Sequence, residues 1–447
     1  MKKFLIFFMG LFVVSSVVVV SFAKTDRYTE LQIFAKVLNI VQKYYVDEVD
    51  TKKLLQGAIK GMLQELDPHT NYLAPKIYKE FESETSGEFG GLGIEITVQD
   101  GVLTVISPIE DTPAWKAGLK AGDKIVEING ESTKGLSLAE AAQKMRGKRG
   151  KEVKLGIIRE GLKTPKVYTI KRGRVKVKSV KYTELDSGYA YVRITSFIEN
   201  SARDLRKYIE KHEKKNKGTK GLIIDLRRNP GGLLDQAVQI SDMFLDKGTI
   251  VSTIGRNKKE KEVIFAKKAE ARLGFPIIVL INEFSASASE ILAGALRDNG
   301  RALVMGRRSF GKGSVQSVVK LGDGSGLKMT VARYYTPSGI SIQAQGIEPD
   351  IIVEEIDPDA FEKAVIKKRV RREVDIKGHL EAENIDGAKK IDPSSIPFLK
   401  MRERLKAKKN LSKAERLLAG DYQVLQALNY LRAVSAMDNF EKKTTTQ

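Results

Sequence analysis

The N-terminal part of the chain shows the hydrophobic period of a helix. Apolar side chains recur three and four positions apart, as at Leu31, Phe34 and Leu38, which is the spacing of one face of an α-helix. The same spacing returns after Asp50-Thr51 and stops at Asp67-Pro68, because proline does not continue a helix. We therefore expect a helical region before residue 87.

The next segment alternates apolar and polar residues. Ile94–Val98 and Lys124–Ile128 have the two-residue period of half-buried strands. Asn129-Gly130 is typical of a tight hairpin turn, and Ala139–Met145 is the only helical stretch that we assign here. Residues 87–172 should form a small β-rich module with a helix.

Strands and helices alternate after residue 173. The apolar runs Gly221–Leu226 and Pro276–Ile281 each precede a helical pattern, which is typical of an α/β layer architecture. Residues 357–447 are highly charged and helical in pattern, with an amphipathic stretch at Tyr422–Leu431. The expected fold is α/β (α+β) and multidomain. Its predicted parts are a signal segment at 1–23, an N-terminal helical region at 24–86, the β-rich module at 87–172, an α/β core at 173–356 and a C-terminal helical region at 357–447.

The first residues have the features of an export signal. Lys2 and Lys3 precede the mainly apolar run Phe4–Val20, and Ser21-Phe22-Ala23 offers small residues for cleavage. The apolar run also approaches the length of a membrane span, so an uncleaved anchor remains open. Either alternative predicts export, into a bacterial periplasm, as a soluble protein or one tethered to the inner membrane.

The amino-acid composition excludes several kinds of catalytic and metal site. There is no cysteine, which excludes disulfides, thiolate catalysis and cysteine-bound zinc. The histidines are His69, His212 and His379, so a histidine-based metal site or triad would have to use one of them. We interpret His69, in a turn after proline, as a structural or surface residue. The net charge of +21 is spread among acidic residues, and its densest basic run, at 367–372, suits a solvated helix face. With export, we expect no nucleic-acid partner.

A serine-rich segment offers a candidate nucleophile. Ser285–Ile291 follows an apolar strand and opens a helix. A serine at that place, such as Ser287, lies where free backbone N–H groups and the helix dipole favour negative charge, as an oxyanion requires. The spacing from Ser287 to Glu290 equally fits a capping box, so this segment alone permits either interpretation.

A glycine-rich segment offers a candidate base. Gly306–Gln316 resembles a phosphate loop, but Gly313 stands where a serine or threonine would hold magnesium. We therefore expect no nucleotide. Lys312, between two glycines, could instead approach another active-site group. Burial that lowers its pKa from about 10.4 towards 7 or 8 would make it a general base.

The segment Asp225–Gly232 ends a strand in a Pro-Gly-Gly turn. Glycine amides in such a turn can donate hydrogen bonds to an oxyanion. An ordinary strand-to-helix turn would have the same sequence, so this motif is not decisive by itself.

Together these three segments resemble the C-terminal processing proteases, also called tail-specific proteases. The resemblance runs from about Tyr28 to Leu431 and includes Leu66–Thr70 and Gly346–Asp350. It implies that Ser287 is the nucleophile and that Lys312 is the general base.

The resemblance also assigns supporting roles. Gln316 would orient the lysine, and Asp298 matches an acidic residue that is sometimes counted with the pair. Ser285 and Ser289 would be packing or capping residues. The oxyanion donors would be the amide of Ala288 and one glycine of Gly231-Gly232, of which we favour Gly232.

The β-rich module resembles a PDZ domain. By that resemblance, its carboxylate-binding loop is Gly91-Leu92-Gly93-Ile94. Glycines let consecutive N–H groups point at a terminal carboxylate, and the adjoining strand edge pairs with the peptide.

The implied function is a serine endopeptidase that cleaves exported proteins near their C-termini through an acyl-enzyme, without metal, nucleotide or other cofactor. Its PDZ domain would bind apolar C-terminal tails and could gate the active site. The helical ends suggest a homo-oligomer, and the family often works with a helical-repeat lipoprotein adaptor. The rival interpretation is a non-catalytic PDZ scaffold or chaperone at the membrane surface, which would need the PDZ loop but not Ser287 with Lys312.

Overall fold

A computed structural model describes the greater part of the chain. The predicted signal segment, the basic run at 367–372, His379 and much of the predicted C-terminal helical region lie outside the described residues. Described are residues 26–109, 111–159, 164–186, 188–267, 274–357, 407–408 and 410–444.

The chain divides into two units. One comprises Met1–Ala74 and Val318–Met329, and the other comprises Pro75–Ser317 and Thr330–Gln447. The domain boundaries given above were drawn from the sequence pattern and stay a prediction.

The first unit contains the predicted N-terminal helices. Helix α1 spans Asp26–Tyr44 and helix α2 spans Thr51–Gln64. The side chain of Asp50 accepts a hydrogen bond from the backbone N–H of Lys52 and so caps α2. Strand β1, Asn71–Leu73, pairs antiparallel with residues 326–328.

The β-rich module lies in the second unit, after helix α3. Its sheet has the order β3-β4-β5-β7-β8, with β6 beside β5. Leu103, Ile125 and Leu155 belong to a core of the module's own. Strand β3 forms one edge of the sheet, beside helix α5. The elements are α3 (Pro75–Ser86), β2 (Glu88–Gly91), β3 (Ile94–Gln99), β4 (Val102–Pro108), α4 (Pro113–Lys116), β5 (Lys124–Ile128), β6 (Glu131–Ser132), α5 (Leu138–Met145), β7 (Glu152–Ile158), β8 (Lys166–Lys171) and β9 (Gly173–Lys176).

The module is joined to the rest of the unit by a two-stranded ribbon. Strand β2 pairs antiparallel with β9, from Glu88 opposite Lys176 to Gly91 opposite Gly173. The chain therefore enters and leaves the module at one place.

A six-stranded sheet forms the centre of the second unit. Its order is β10-β11-β12-β15-β16-β19, with β10 antiparallel to β11 and the other neighbours parallel. The predicted α/β architecture is confirmed. The elements are β10 (Val180–Asp186), β11 (Tyr189–Ile194), α6 (Ser201–Asn216), β12 (Gly221–Asp225), α7 (Leu234–Asp242), β13 (Thr249–Ile254), β14 (Lys261–Phe265), β15 (Ile277–Ile281), α8 (Ala288–Asp298), β16 (Leu303–Gly306), β17 (Ser314–Lys320), β18 (Gly326–Tyr335), β19 (Ile351–Ile352), α9 (Lys413–Gly420) and α10 (Tyr422–Thr444).

Both faces of this sheet are covered. Ile224 and Val279 belong to the cluster that includes residues of α6, α7 and α8, whereas Ile223 and Leu280 pack with Leu428 of α10. Successive residues of a strand point to opposite faces, so burial on both faces explains the uninterrupted apolar runs in β12 and β15. The predicted C-terminal amphipathic helix thus supplies one layer of the core.

None of the helices within the described ranges combines the length and the hydropathy that a membrane-spanning segment needs.

Candidate active site

Two of the predicted motifs meet at one edge of the central sheet. Strands β12 and β15 are parallel neighbours, and the carboxyl ends of such strands lie on the same edge, where α/β proteins place their sites. The Asp225–Gly232 turn follows β12, and the segment Asn282–Ser287 follows β15.

Ser285 and Ser289 tie these two segments together. The hydroxyl of Ser285 donates to the carbonyl of Leu226 at 2.9 Å, and that of Ser289 donates to the carbonyl of Asn229 at 2.9 Å. Both serines are completely buried. The structure thus uses them in packing and bonding, in agreement with the roles that the sequence predicts.

Ser287 lies in a strained turn at the start of helix α8. Its φ and ψ are 56° and −114°, a conformation that residues other than glycine rarely adopt. Ala286 and Ala288 on either side are buried, whereas Ser287 is half-buried. The turn therefore keeps one serine open to solvent among buried neighbours, as a nucleophile requires.

Glycine is required opposite this serine. A Cβ atom on Gly231 would lie 2.9 Å from Cβ of Ser287 and 3.0 Å from the nitrogen of Ala288, and Gly231 has a φ of +100°. The Pro-Gly-Gly turn thus packs directly against the candidate nucleophile.

The backbone amides near Ser287 suit an oxyanion hole. The N–H of Gly231 donates to Oδ1 of Asn229 at 2.9 Å and is therefore engaged. No hydrogen bond joins the Gly232 N–H to another described residue, and the Ala288 N–H lies in the first turn of α8, where helices lack internal acceptors. This geometry favours Gly232 over Gly231 as the second donor.

Glu290 connects the two segments that carry the candidate catalytic residues. The serine segment comprises residues 282–291 and contains Ser287, and the lysine segment comprises residues 306–316 and contains Lys312. Its Oε2 accepts hydrogen bonds from the backbone N–H of Ser287 at 2.7 Å and of Lys312 at 2.9 Å. Its Oε1 accepts from the Ser309 hydroxyl at 2.6 Å and the Gly311 N–H at 2.7 Å. The backbone nitrogens of Ser287 and Lys312 are therefore no farther apart than the sum of their two distances to one oxygen.

The environment of Glu290 is electrostatically unusual. The residue is fully buried, and burial raises the pKa of its carboxyl above the ordinary value although hydrogen bonds from Ser309, Gly311, Ser287 and Lys312 oppose that rise. An ionised carboxylate is an acceptor only, and all four bonds use it as an acceptor. The four bonds thus favour the charged form, whereas burial, which dominates, favours the protonated form.

The sequence predicted only part of this role. The contact from Glu290 to the Ser287 N–H is the one that a capping box makes. The contacts to Ser309, Gly311 and Lys312 were missed, since spacing within one helix carries no signal for residues more than eighteen positions away.

The segment around Lys312 is fixed from several sides. The Phe310 N–H donates to the Ser285 carbonyl at 3.0 Å, and the Gly313 carbonyl accepts from Tyr334 at 2.7 Å. Lys312 itself is half-buried. The structure thus brings Lys312 into the neighbourhood of Ser287, where the resemblance requires it.

Gln316 lies on β17 with one side of its carboxamide unused. Its Nε2 donates to the Thr330 hydroxyl at 2.7 Å. Its Oε1 is buried and has no hydrogen-bond partner among the described residues. A buried acceptor of this kind is available to a nearby cation or donor.

Asp298 is placed differently. It is the last residue of α8, eleven positions after Ser287, or roughly 16 Å along a helix. Its carboxylate accepts from the N–H and the hydroxyl of Ser338 and pairs with Arg297. The structure therefore does not bring Asp298 to Ser287, and its catalytic role is a prediction that this placement does not favour.

The predicted carboxylate loop joins β2 to the edge strand β3. Gly93 has a φ of +76°, and its carbonyl accepts from the N–H of Ile109 and the hydroxyl of Thr112. The carbonyl of Leu92 accepts from the N–H of Ala114. The loop is thus anchored through its carbonyl groups at the open edge of β3.

The described histidines have other partners. The backbone N–H of His69 donates to Asp67 within the first unit. His212 is buried on α6, where Nδ1 lies 2.7 Å from the Tyr182 hydroxyl. Among the described residues, no cluster of histidine and acidic side chains could hold a metal ion.

Two exposed aromatic side chains flank the site and were missed by the sequence reasoning. Phe284 is 55% exposed and Phe310 is 63% exposed. They lie on the serine and lysine segments, which the hydrogen bond from Phe310 to Ser285 joins. The signal that could have revealed them is a large apolar residue inside an otherwise small and polar turn.

Comparison with known families agrees with this arrangement. Residues 188–353 match Peptidase family S41, residues 104–159 match the PDZ domain, and residues 15–76 match the N-terminal domain of the activating protease CtpB. The first match contains Ser287, Glu290 and Lys312.

Known proteins are similar over most of the chain. A carboxy-terminal-processing protease of Bartonella bacilliformis is 43% identical, covering 85% of this chain and 88% of its own. The carboxy-terminal processing protease CtpB of Bacillus subtilis is 37% identical, covering 79% and 74%. Among solved structures, a photosystem II D1 C-terminal processing protease is 32% identical, covering 72% of this chain and 92% of its own, with a TM-score of 0.44. The chain thus belongs to the carboxy-terminal processing proteases, serine peptidases of family S41 that carry a PDZ domain.

Proposed function

We propose that this protein is an exported endopeptidase in which Ser287 attacks the peptide bond and Lys312 takes its proton. The observation that supports this most is the Glu290 carboxylate, which accepts from the backbone N–H groups of both residues on a single oxygen. A purely structural serine would not require a strained turn, a half-buried position and a lysine segment fixed beside it.

The proposed reaction proceeds in two halves. Neutral Lys312 Nζ accepts the proton as Ser287 Oγ bonds to the carbonyl carbon, and the carbonyl oxygen becomes an oxyanion held by the N–H groups of Ala288 and Gly232. Lys312 then gives the proton to the departing amine, which leaves an acyl-enzyme. Water, deprotonated by Lys312, hydrolyses that ester and restores the serine.

Gln316 is proposed to orient the lysine. Its buried Oε1 has no partner among the described residues, and an unsatisfied buried acceptor is costly. The Lys312 amine could supply the missing donor while leaving a lone pair for the serine proton.

The PDZ domain is proposed to bind the C-terminal tail of the substrate. The edge strand β3 and the loop Gly91–Ile94 suit an added peptide strand that ends in a carboxylate. Since the domain joins the protease through the β2–β9 ribbon, tail binding could also gate the active site.

Location and partners belong to the same proposal. Export into a periplasm rests on the N-terminal signal sequence, whether cleaved or kept as an anchor. A homo-oligomer is supported by α1, where Leu31 is 63% and Val37 is 53% exposed. A lipoprotein adaptor is proposed from the resemblance alone.

The alternative is a non-catalytic scaffold or chaperone that uses only the PDZ domain. It would have no use for the contacts from Glu290 to Ser287 and Lys312. Labelling with a fluorophosphonate separates the two proposals, since only an activated serine reacts.

The test is turnover of a peptide with an apolar C-terminus. Ser287→Ala and Lys312→Ala should each abolish turnover, because residues that act as a unit lose activity together. Lys312→Arg should also fail, since a guanidinium stays protonated in proteins. His69→Ala is the control and should remain active. A dead but folded His69→Ala, or substantial activity in Lys312→Arg, would overturn the assignment.

A further inference from the structure

Arg227 is buried at the start of the Pro-Gly-Gly turn with every donor in use. Its side chain is 7% exposed, and its guanidinium has five N–H donors. Two bonds go to Asp225, from Nε at 2.9 Å and Nη2 at 2.7 Å. Two go to Asp421, from Nη1 at 3.1 Å and Nη2 at 2.6 Å, and the fifth goes from Nη1 to Gln423 at 2.7 Å.

The acceptors come from two distant parts of the chain. Asp225 ends strand β12 and lies two residues before Arg227, whereas Asp421 and Gln423 stand at the start of helix α10, more than 190 positions later. The guanidinium thus clamps the end of a core strand to the C-terminal helix.

Both ends of this clamp are themselves fixed. The Asp421 carboxylate also accepts from the Val424 N–H and so caps α10. Gln423 is buried, and its Nε2 donates to the Val353 carbonyl. Neither side chain can move without breaking a second contact.

The electrostatic surroundings favour the ionised forms of Arg227 and Asp225. Burial alone would raise the pKa of the Asp225 carboxyl, but Arg227, together with the hydrogen bond from Tyr191 and the charge of Arg193, outweighs burial and the net pKa is lowered. A buried guanidinium needs such partners, because removing one leaves an uncompensated charge.

Arg227 lies within the Asp225–Gly232 turn, which carries the proposed oxyanion donor Gly232. From Arg227 the chain runs directly through Asn229, whose side chain accepts from the Gly231 N–H and whose carbonyl accepts from Ala286 and Ser289. One side of this turn is therefore held by the serine segment, and the other by Arg227.

We infer that Asp421 and Gln423 are positioning residues for the peptidase reaction, acting through Arg227 to hold the turn that carries Gly232. This inference rests on the proposed function. The C-terminal helix, which lies beyond the matched protease region at 188–353, then belongs to the support of the active site.

Such a role has a kinetic signature. Oxyanion donors act in the transition state and contribute little to substrate binding, so a displaced turn should lower kcat and leave KM unchanged. Loss of one donor costs about 100- to 1,000-fold in kcat, so misplacement by the loss of one clamp acceptor should cost at least about tenfold.

The experiment compares two clamp variants with one control. Asp421→Asn keeps a capping residue but removes the charge, and Gln423→Met keeps length but removes the acceptor. Arg432→Gln is the control, because it breaks a different ion pair, between Arg432 of α10 and Asp186, which are 47% and 51% exposed. Peptide turnover, thermal unfolding and the affinity for a peptide boronate, whose adduct with Ser287 places an oxygen at the oxyanion donors, are measured for each.

Both clamp variants should lose kcat and boronate affinity in parallel, with KM and binding of peptide to the Ser287→Ala form unchanged, while Arg432→Gln retains wild-type values. A kcat within twofold of wild type, or a rise in KM alone, would overturn the inference. Loss of the folded state in both variants would show that the contacts of Arg227 serve folding, and this outcome would also overturn the inference. A wild type that neither turns over peptide nor reacts with fluorophosphonate would instead refute the proposed function.

Discussion

At the scale of single residues, the Glu290 carboxylate receives bonds from two segments that are far apart in sequence. Ser287 is three residues away, whereas Lys312 is twenty-two residues away. This one side chain therefore sets the distance between the candidate nucleophile and base more directly than any contact within either segment.

We predict that Glu290→Gln abolishes most peptidase activity. Each carboxylate oxygen accepts two donors, and an amide would turn its NH₂ group towards two of them. A buried donor without a partner costs about 1–3 kcal/mol, enough to displace one segment. Turnover and circular dichroism are measured beside Glu283→Gln, the same change at a 45% exposed glutamate in the serine segment. Equal activity in the two variants would contradict the proposed role of Glu290.

Residue roles were predictable where the signal was local or carried by a motif. The cap that Glu290 makes could be predicted, because its partner Ser287 is three positions away. The resemblance implied packing or capping roles for Ser285 and Ser289, but the acceptors of their hydroxyl groups lie 59 and 60 positions away and could not be predicted. Asp298 was chosen by resemblance, and only the length of α8 reveals that it lies at the other end of the helix. The partners of Arg227 could not be predicted, since no sequence spacing links them.

At the scale of elements, strands buried on both faces were the easiest to predict. The apolar runs Gly221–Leu226 and Pro276–Ile281 were predicted, and the structure has fully buried strands there, at Gly221–Asp225 and Ile277–Ile281. Strands β13 and β14 were not predicted, because residues such as Thr253 and Glu262 face one another on partly exposed strands and blur the apolar alternation. The apolar residues of each strand, such as Ile250 and Val251 of β13, are adjacent and not alternating, so the two-residue period that predicted Lys124–Ile128 is missing.

We predict that Gly93→Ala weakens tail binding by the PDZ domain at least about tenfold, or about 1.4 kcal/mol. Its φ is +76°, and an added Cβ would lie 2.3 Å from Cβ of Thr112, so the carboxylate loop must shift. Gly101→Ala is the control, because its φ is +75° with nothing within 4 Å. Affinity is measured for a peptide with a free C-terminus and for its amide-capped form. Equal losses in both variants would show that backbone strain, and not the loop position, is responsible.

At the scale of the whole molecule, the protein carries a net charge of +21 and keeps several carboxylates buried. Acidification adds positive charge and so increases self-repulsion. Burial raises the pKa of both carboxyls at the ends of α8, Glu290 and Asp298, but the net shifts have opposite directions. The pKa of Glu290 is raised because burial dominates, whereas that of Asp298 is lowered because hydrogen bonds from Ser338 and Arg297 outweigh burial.

The two shifts predict opposite pH dependences of stability. A raised pKa favours the folded state most at low pH, so the contribution of Glu290 is fully present below its ordinary value of 4.5 and is lost as pH rises through the raised pKa. A lowered pKa acts in reverse, so the contribution of Asp298 is present above 3.8 and is lost as pH falls through the lowered pKa.

Urea unfolding followed by circular dichroism measures both contributions as differences from wild type. The free energy of unfolding of wild type minus that of Glu290→Gln should grow as pH falls from 7 and level off below about 4.5. The corresponding difference for Asp298→Asn should stay constant down to about 4 and then shrink. Because the two variants carry the same chemical change on one helix, a shared pH trend would mean that overall charge, and not the local surroundings of each carboxylate, governs acid stability. Opposite trends would show that burial at the start of α8 and hydrogen bonds at its end set the protonation of its two carboxyls.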